Sequence, residues 1–243
     1  MIDIIGIYND YIADANLLNQ KKRYDDYGQW FHASASGMCM RKHYFQHIEK
    51  VVPKPIDKDT LRLFRLGDLV HGDIQSALGE YAQNNGTRIF IEKEIRLPEV
   101  SVRGFLDVIV ADDDALYDIK TCNSFKWKKL FGRYPDPSPS TNYFLQLGTY
   151  AWWYENEYDV KIKKLALLYY NKDTSLMREY EVDVDYVNEA KNYWADLNER
   201  FENGNPEIEL GVAPAYVWEC NPKYCGFFKV CGGGLKSKGD GKL

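Results

Sequence analysis

Residues 103–121 of this 243-residue chain read RGFLDVIVADDDALYDIKT. On both sides of a short acidic run, the residues fall into two alternating sets, which is the period-two pattern of β-strands. The acidic run, Asp112 to Asp114, is too polar to be buried and predicts the turn between the strands. The stretch therefore predicts a β-hairpin with two different faces.

The predicted hairpin carries a candidate catalytic site. Asp118 and Lys120 are two residues apart, so they share one face of the second strand, and Asp107 joins them if the strand register allows it. Two carboxylates suit a hard cation such as Mg²⁺, and a lysine beside them can hold an attacking water or stabilise a charged transition state. A structural alternative stays open, in which Asp107 flanks a turn and Asp118 and Lys120 form an exposed pair.

A helix is predicted ahead of the hairpin, with Asp59 or Thr60 as its cap and residues 84–86, Asn-Asn-Gly, as its stop. Its apolar stripe consists of Leu63, Leu66, Val70, Ile74 and Leu78. His71 lies beside the stripe, and Gly67, one turn earlier, leaves room for a ligand or another backbone. His71 is thus a second candidate site residue, although the helix taken alone favours a boundary histidine that is hydrogen-bonded to a neighbour.

The five cysteines are unevenly distributed. Cys220, Cys225 and Cys231 lie within twelve residues near the C-terminal end. Three thiolates leave a tetrahedral metal site or cluster one ligand short, and Cys39 and Cys122 are the remaining cysteines that could complete it. In a reducing compartment, such cysteines indicate metal binding or catalysis before disulfides.

The remaining segments predict an α/β chain. Residues 1–30 form a helical lead-in with Tyr8, Tyr11, Ile12 and Leu17 as a weak stripe, and Ser34 or Ser36 caps a short helix containing Cys39. Strands are expected at residues 88–97, 164–171 and 179–184, and helices at 143–158 and 185–203. Residues 123–142 predict a basic, aromatic and proline-rich loop, which could contact phosphates and stack bases or be an ordinary solvated loop.

The composition is that of a folded soluble protein, with 45% hydrophobic and 28% charged residues. A net charge of −5 argues against a protein that coats nucleic acid over its whole surface, but it allows a local basic groove. The N-terminal residues lack a signal-peptide pattern, and no apolar run is long enough to span a bilayer. A cytoplasmic location without a membrane partner is therefore expected.

The chain resembles the PD-(D/E)xK nuclease superfamily, and within it the RecB-like exonucleases that carry an iron–sulfur cluster. That group includes the CRISPR-associated adaptation exonuclease, the AddB nuclease domain and phage-encoded relatives. The resemblance runs from about residue 34 to residue 231 through five motifs in the family's order. They are Cys39 with Arg41, Gly67-x-x-x-His71, Gly104-x-x-Asp107, Asp118-Ile119-Lys120 and Gln146-x-x-x-Tyr150, and the three C-terminal cysteines close the pattern.

The resemblance implies a restriction-endonuclease-like core, with a central mixed sheet flanked by helices. It also implies that His71, Asp107, Asp118 and the main-chain carbonyl of Ile119 bind Mg²⁺ or Mn²⁺. Lys120 would position or deprotonate the attacking water and stabilise the charge that develops on the phosphorus centre.

Two further sets of residues take their roles from the same resemblance. Gln146 and Tyr150 would orient the lysine or the DNA near the scissile phosphate. The four thiolates would ligate a [4Fe–4S] cluster, with zinc as the less expected occupant, and they are those of Cys39, Cys220, Cys225 and Cys231. The implied division is an N-terminal segment (1–57) that carries Cys39, a nuclease core (58–204), a cysteine segment (205–231) that completes the cluster, and a flexible tail (232–243).

The implied function is that of a metal-dependent DNA exonuclease that prefers single-stranded ends. It would act in recombination, repair or CRISPR-type DNA processing, in a prokaryotic cell or a phage-infected host, and could work beside a protein partner. A structure-specific endonuclease or nickase, an RNA-directed nuclease and a noncatalytic DNA-binding subunit are the alternatives. Intact His71, Asp107, Asp118 and Lys120 count against the last of these.

Overall fold

The structure, a computed structural model, describes residues 2–27, 30–202 and 219–231. The helices are α1 (Ile4–Tyr27), α2 (Met40–His43), α3 (Lys58–Asn85), α4 (Ser124–Phe131), α5 (Thr141–Tyr158) and α6 (Tyr186–Glu202). The strands are β1 (Phe31–His32), β2 (Ile89–Leu97), β3 (Val102–Val110), β4 (Ala115–Cys122), β5 (Lys164–Asn171) and β6 (Met177–Val182). A π-helical turn (Tyr44–Ile48) continues α2. Within the described ranges, no helix has the length and apolar character needed to cross a membrane.

The six strands form one mixed sheet, which confirms the predicted α/β class. β2 and β4 both run antiparallel to β3, and β6 runs antiparallel to β5. β4 and β5 are parallel. β2 pairs with β3 along its whole length. On the opposite edge of β3, β1 pairs only with Val102 and Arg103, and β4 pairs only with the last three residues, from Val108. Residues 104–107 therefore face a gap in the sheet on that edge.

The core lies between the sheet and α5, whose residues from 146 to 154 are all buried. α6 covers the other side of α5, with Trp194 fully buried. The two helices approach closely because position 148 is glycine, where a Cβ would lie 2.0 Å from the carbonyl oxygen of Tyr186. This packing fixes α5 against the strands that carry the candidate catalytic residues.

Several local predictions differ from the structure. The expected loop at 123–142 begins with the helix α4, because Asn123 caps it by accepting a hydrogen bond from the amide of Lys126. Asp57, and neither Asp59 nor Thr60, caps α3. Neither Ser34 nor Ser36 caps α2; Cys39 occupies the N-cap position itself.

The predicted stripe of α3 is only partly buried, since Leu63 and Leu66 are exposed. The helix has 28 residues, about 42 Å at 1.5 Å per residue, so it is longer than any strand beneath it. Its first turns lie against α1 instead, where Arg62 donates a hydrogen bond to the side chain of Asn9. Of the stripe expected in α1, only Ile12 is buried. The predicted stop at Gly204 and the tail at 232–243 lie outside the described residues.

Two histidines of the N-terminal segment stack on one another next to α6, with His43 buried and His47 half-buried. The Nε2 atom of His43 lies 3.1 Å from the carbonyl oxygen of Ala35 and 3.3 Å from the hydroxyl of Tyr193. Burial, with a contribution from His47, lowers the pKa of His43 to about 3. Burial likewise lowers the pKa of His47 to about 4. Both imidazoles are therefore neutral in the folded protein near neutral pH.

We expect the free energy of unfolding to fall as the pH drops from about 6.5 toward 4. In this window the unfolded chain takes up protons that the folded chain excludes, so acid favours unfolding. At pH 5, His43 alone accounts for a loss of up to about 2 kcal/mol. Urea unfolding at several pH values measures the slope, which should become shallower in His43→Gln. An unchanged slope in both His43→Gln and His47→Gln would show that these histidines do not cause the acid sensitivity.

Candidate active site

The candidate site lies where β3 and β4 separate. The ladder between them ends at Val108 opposite Tyr117, and the same register continued by one residue sets Asp107 opposite Asp118. At that point the backbones part, and a carboxylate oxygen of Asp107 accepts a hydrogen bond from the amide of Ile119 at 2.7 Å. Asp107, Asp118 and Lys120 thus lie on one face at the gap in the sheet.

The side chain of Gln146, from α5, connects the members of the site. The ammonium of Lys120 forms an ion pair with Asp118 and donates to the amide oxygen of Gln146 at 3.2 Å. The amide nitrogen of Gln146 donates to the second carboxylate oxygen of Asp118 at 3.2 Å and to the hydroxyl of Tyr150 at 3.0 Å. Gln146 therefore fixes the carboxylate and the ammonium in one orientation, with Tyr150 behind it.

α3 brings His71 to the same site. Its Nδ1 atom lies 3.6 Å from a carboxylate oxygen of Asp107. Gly67 faces Thr121, since a Cβ at position 67 would lie 3.7 Å from that hydroxyl. Gln75, one turn beyond His71, is buried and reaches the carbonyl oxygen of Asp107 at 3.5 Å. Sequence analysis missed Gln75, although its spacing of four residues from His71 placed it on the same face.

Burial and mutual charge set the protonation of the site. Burial raises the pKa of Asp118 to about 6, the charge of Asp107 adds to this, and Lys120 opposes it. Burial lowers the pKa of Lys120, but the charges of Asp118 and Asp107 outweigh that effect, so it is raised overall. For His71, burial also lowers the pKa, and the hydrogen bond and charge of Asp107 raise it more. The lysine is therefore held as a cation.

The carboxylates fit a divalent cation. Asp118 is 1% exposed, and its Oδ2 atom pairs with the ammonium of Lys120. Asp107 and Asp118 face one another across the gap, and carboxylates are the hard oxygen donors that Mg²⁺ prefers. Among the described residues, no three His, Cys, Asp or Glu side chains converge closely enough to hold a metal by themselves. A Mg²⁺ site needs fewer protein ligands, because this ion is usually bound by one or two carboxylates together with waters and substrate phosphates.

Four of the five cysteines line a single recess between residues 39–45 and residues 219–231. Cys39, Cys220, Cys225 and Cys231 surround it together with Phe45, Phe227 and Phe228. Burial raises the pKa values of Cys39 and Cys225, and all the cysteines are free thiols. Cys122 instead is buried in the hydrophobic core at the end of β4. The fold has thus separated Cys122 from the other four.

Two charged residues border the recess. Arg41 lines it, and one of its guanidinium nitrogens is buried without a hydrogen-bond partner among the described residues. A guanidinium with one buried nitrogen that makes no hydrogen bond fits an anionic occupant such as a thiolate-ligated cluster. Glu219 is fully buried, accepts hydrogen bonds from the amide of Cys39 at 3.2 Å and pairs with Lys42 at 2.6 Å. Nothing in the sequence singled out Glu219, which ties the two cysteine-bearing segments together.

Comparison with known families identifies the fold. The family model described as the PD-(D/E)XK nuclease superfamily matches residues 73–232. The chain belongs to the PD-(D/E)XK nuclease superfamily. The matched range includes Asp107, Asp118 and Lys120, whereas His71 and Cys39 precede it.

Solved structures agree at the level of the fold. The crystal structure of SSO0001 is 19% identical, with a TM-score of 0.55 over 93% of this chain and 97% of that one. A predicted exonuclease from Eubacterium rectale is 14% identical, with a TM-score of 0.53 over 83% and 91% of the two chains. An alkaline exonuclease from Laribacter hongkongensis is 14% identical, with a TM-score of 0.48 over 76% and 93%. No curated protein is similar enough in sequence to count as a match.

We expect Gly104→Ala to destabilise the protein and displace Tyr150. A Cβ at position 104 would lie 2.9 Å from the Cβ of Ala33, 3.0 Å from a ring carbon of Tyr150 and 3.3 Å from its hydroxyl. Overpacking of this kind costs about 1–3 kcal/mol, which urea unfolding measures directly. Gly72→Ala is the matched control, because a Cβ there meets nothing within 4 Å and alanine favours a helix. Equal stability of the two variants would contradict the close approach at Gly104.

Proposed function

We propose that this nuclease is a metal-dependent DNA exonuclease that prefers single-stranded ends and acts in recombination, repair or CRISPR-type DNA processing. The observation that carries the proposal is the network of Asp107, Asp118, Lys120 and Gln146 at the gap between β3 and β4. It places the two carboxylates and the ammonium of Lys120 on one face of the sheet. Those are the groups that phosphodiester hydrolysis requires.

The metal ligands in this proposal are His71, Asp107, Asp118 and the carbonyl of Ile119. When bound, Mg²⁺ or Mn²⁺ would act as a Lewis acid on the phosphate and lower the pKa of a bound water. Asp107 is already oriented by the amide of Ile119, so its carboxylate would not need to reorganise. The exposed fraction of His71, about a quarter, leaves it accessible from the solvent side.

Lys120 would act as a cation that positions the attacking water and stabilises the charge developing on the phosphate. Its raised pKa favours this role over that of a base, since the ammonium is held in its charged form. Gln146 would hold that ammonium in a fixed orientation, because it accepts a hydrogen bond from Lys120 while it donates to Asp118. Tyr150 would in turn hold the amide of Gln146 in the required orientation.

The four recess cysteines, Cys39, Cys220, Cys225 and Cys231, would ligate a [4Fe–4S] cluster, with zinc as the competing occupant. The support is their common recess, its aromatic lining and the buried charge of Arg41. Cluster binding would add to the hydrogen bonds of Glu219 in joining the N-terminal segment (1–57) to the cysteine segment (205–231), on either side of the core (58–204).

We expect Lys120→Ala to lower the rate of single-stranded DNA hydrolysis by about 10²–10³-fold, which is the effect of removing one donor aimed at a developing charge. Release of nucleotides from labelled oligonucleotides with Mg²⁺ or Mn²⁺ measures this rate. Lys163→Gln is the control, since Lys163 pairs with Asp114 in the turn at the far end of β4. Hydrolysis at the wild-type rate by Lys120→Ala would show that the catalytic assignment is wrong.

Circular single-stranded DNA separates the proposed exonuclease from an endonuclease of the same fold. An exonuclease leaves the circle intact and degrades the linear form, whereas an endonuclease or nickase linearises the circle first. A labelled RNA strand of the same sequence, tested beside the DNA, establishes the sugar preference.

The cluster assignment is tested separately from catalysis. We expect wild-type protein purified without oxygen to show visible absorption and bound iron and sulfide, and Cys220→Ser to lose most of both together with thermal stability. Cys122→Ser should keep the absorption, because Cys122 lies in the hydrophobic core outside the recess. A colourless wild-type protein with stoichiometric zinc would replace the cluster with a zinc site.

A further inference from the structure

The surface that begins at α4 differs in charge from the rest of the chain. Residues 123–134 contain four basic residues, four aromatic residues and no acidic residue, in a protein with a net charge of −5. This local field would attract a polyanion that the whole molecule repels. α4 directly follows β4, the strand that carries Asp118 and Lys120.

α4 is held firmly in place. Its first amide, that of Ser124, donates to the carboxylate of Asp173 at 2.7 Å, and Asn123 caps the following turn. On its inner side Leu130 is buried, and Phe131 packs edge-on against Tyr169 with ring centroids 5.8 Å apart. The helix therefore presents its basic side chains from a fixed position.

Tyr143 links the basic side of α4 to the catalytic lysine. The ammonium of Lys120 lies 4.7 Å from the centroid of the Tyr143 ring, and the ammonium of Lys126 lies 4.3 Å from the same centroid. The distance between the two ammonium groups is therefore at most the sum of these two distances. At a rise of about 3.4 Å per nucleotide in a stacked strand, the two ammonium groups are separated by at most two or three nucleotides. Lys126 is thus close enough to bind the phosphate adjacent to the one that Lys120 would contact.

Beyond Lys126, two exposed aromatic rings are each paired with a cation. Phe125 is 69% exposed and lies 5.2 Å from the ammonium of Lys129. Tyr134 is 82% exposed and lies 5.5 Å from the guanidinium of Arg133. Each pair offers a flat surface for a base beside a charge for its phosphate, the combination found in sites for single strands. Duplex bases are stacked on one another and cannot use such rings.

We propose that this surface selects the single strand and guides it to the catalytic site. The α4 track, defined as Phe125, Lys126, Lys129, Arg133, Tyr134 and Tyr143, binds the segment of strand adjoining the scissile phosphate. Lys126 takes the neighbouring phosphate, and Phe125 and Tyr134 stack on unpaired bases. The inference rests on the proposed nuclease function and assigns its preference for single strands to named residues.

The test measures binding apart from hydrolysis. Fluorescence anisotropy of a labelled oligothymidylate, and of a duplex of equal length, is recorded in EDTA over a series of salt concentrations. We expect the double variant Phe125→Ala/Tyr134→Ala to lose at least about tenfold in affinity for the single strand, since each stacked base contributes substantially, while duplex binding changes little. Tyr81→Ala is the control, an exposed tyrosine ten residues beyond His71 on α3.

Lys126→Gln tests the phosphate contact independently. We expect the slope of log affinity against log salt for the single strand to become shallower by about 0.7, the value for one lost phosphate contact. Lys126→Arg should restore the slope, and Lys163→Gln should leave it unchanged.

The outcomes distinguish the inference from the function on which it rests. If wild-type protein cuts single-stranded DNA but the aromatic double variant binds it as tightly as wild type, the α4 track is wrong and the nuclease stands. Equal losses for single strand and duplex would overturn the assignment of strand selection to these rings. If wild-type protein cuts no nucleic acid with either metal, the proposed function fails, and the anisotropy series still decides whether the track binds single strands.

Discussion

The site depends on the separation of β3 and β4 one residue beyond their last ladder pair. If the pairing continued, the amide of Ile119 would bond to the backbone of β3 and Asp107 would be an ordinary strand residue. Instead the amide donates to the Asp107 carboxylate at 2.7 Å. That one exchange of partners opens the sheet, fixes Asp107 and leaves Asp118 facing it across the gap.

Opening the sheet also explains the electrostatic character of the site. Asp118 is enclosed by the sheet and α5, so its carboxylate is poorly solvated and its pKa is raised to about 6. Lys120 pairs with one carboxylate oxygen and Gln146 donates to the other, but burial remains the largest influence on this pKa. A buried carboxylate of this kind costs stability and favours a cation nearby. The burial that costs stability here would also favour a metal ion at the site.

Residues 39–42 meet the segment 219–231 through polar contacts as well as cysteines. Glu219 brings a buried negative charge to the amide of Cys39, and Lys42 neutralises it. These contacts already place the C-terminal cysteines around the recess with Cys39, before any cluster is considered. α4 adds positive charge next to the site, since Lys126 and Lys120 lie against the same Tyr143 ring. A net acidic chain thus carries a local positive field beside the site.

The sequence by itself determined the α/β class, the hairpin with its acidic turn, and the residue types of the site, because alternation and charge are local properties of the chain. It misplaced the caps of α2 and α3, missed the helix α4 and did not find Gln75 or Glu219. The caps of α3 and α4 are local contacts that the sequence patterns did not single out. Gln75 and Glu219 instead take their roles from partners distant in sequence, Asp107 and Cys39. Only the tertiary structure set Asp107 opposite Asp118, gathered four cysteines apart from Cys122, and placed Tyr143 between Lys120 and Lys126. Such convergence is decided by strand register and helix packing, which no local pattern encodes.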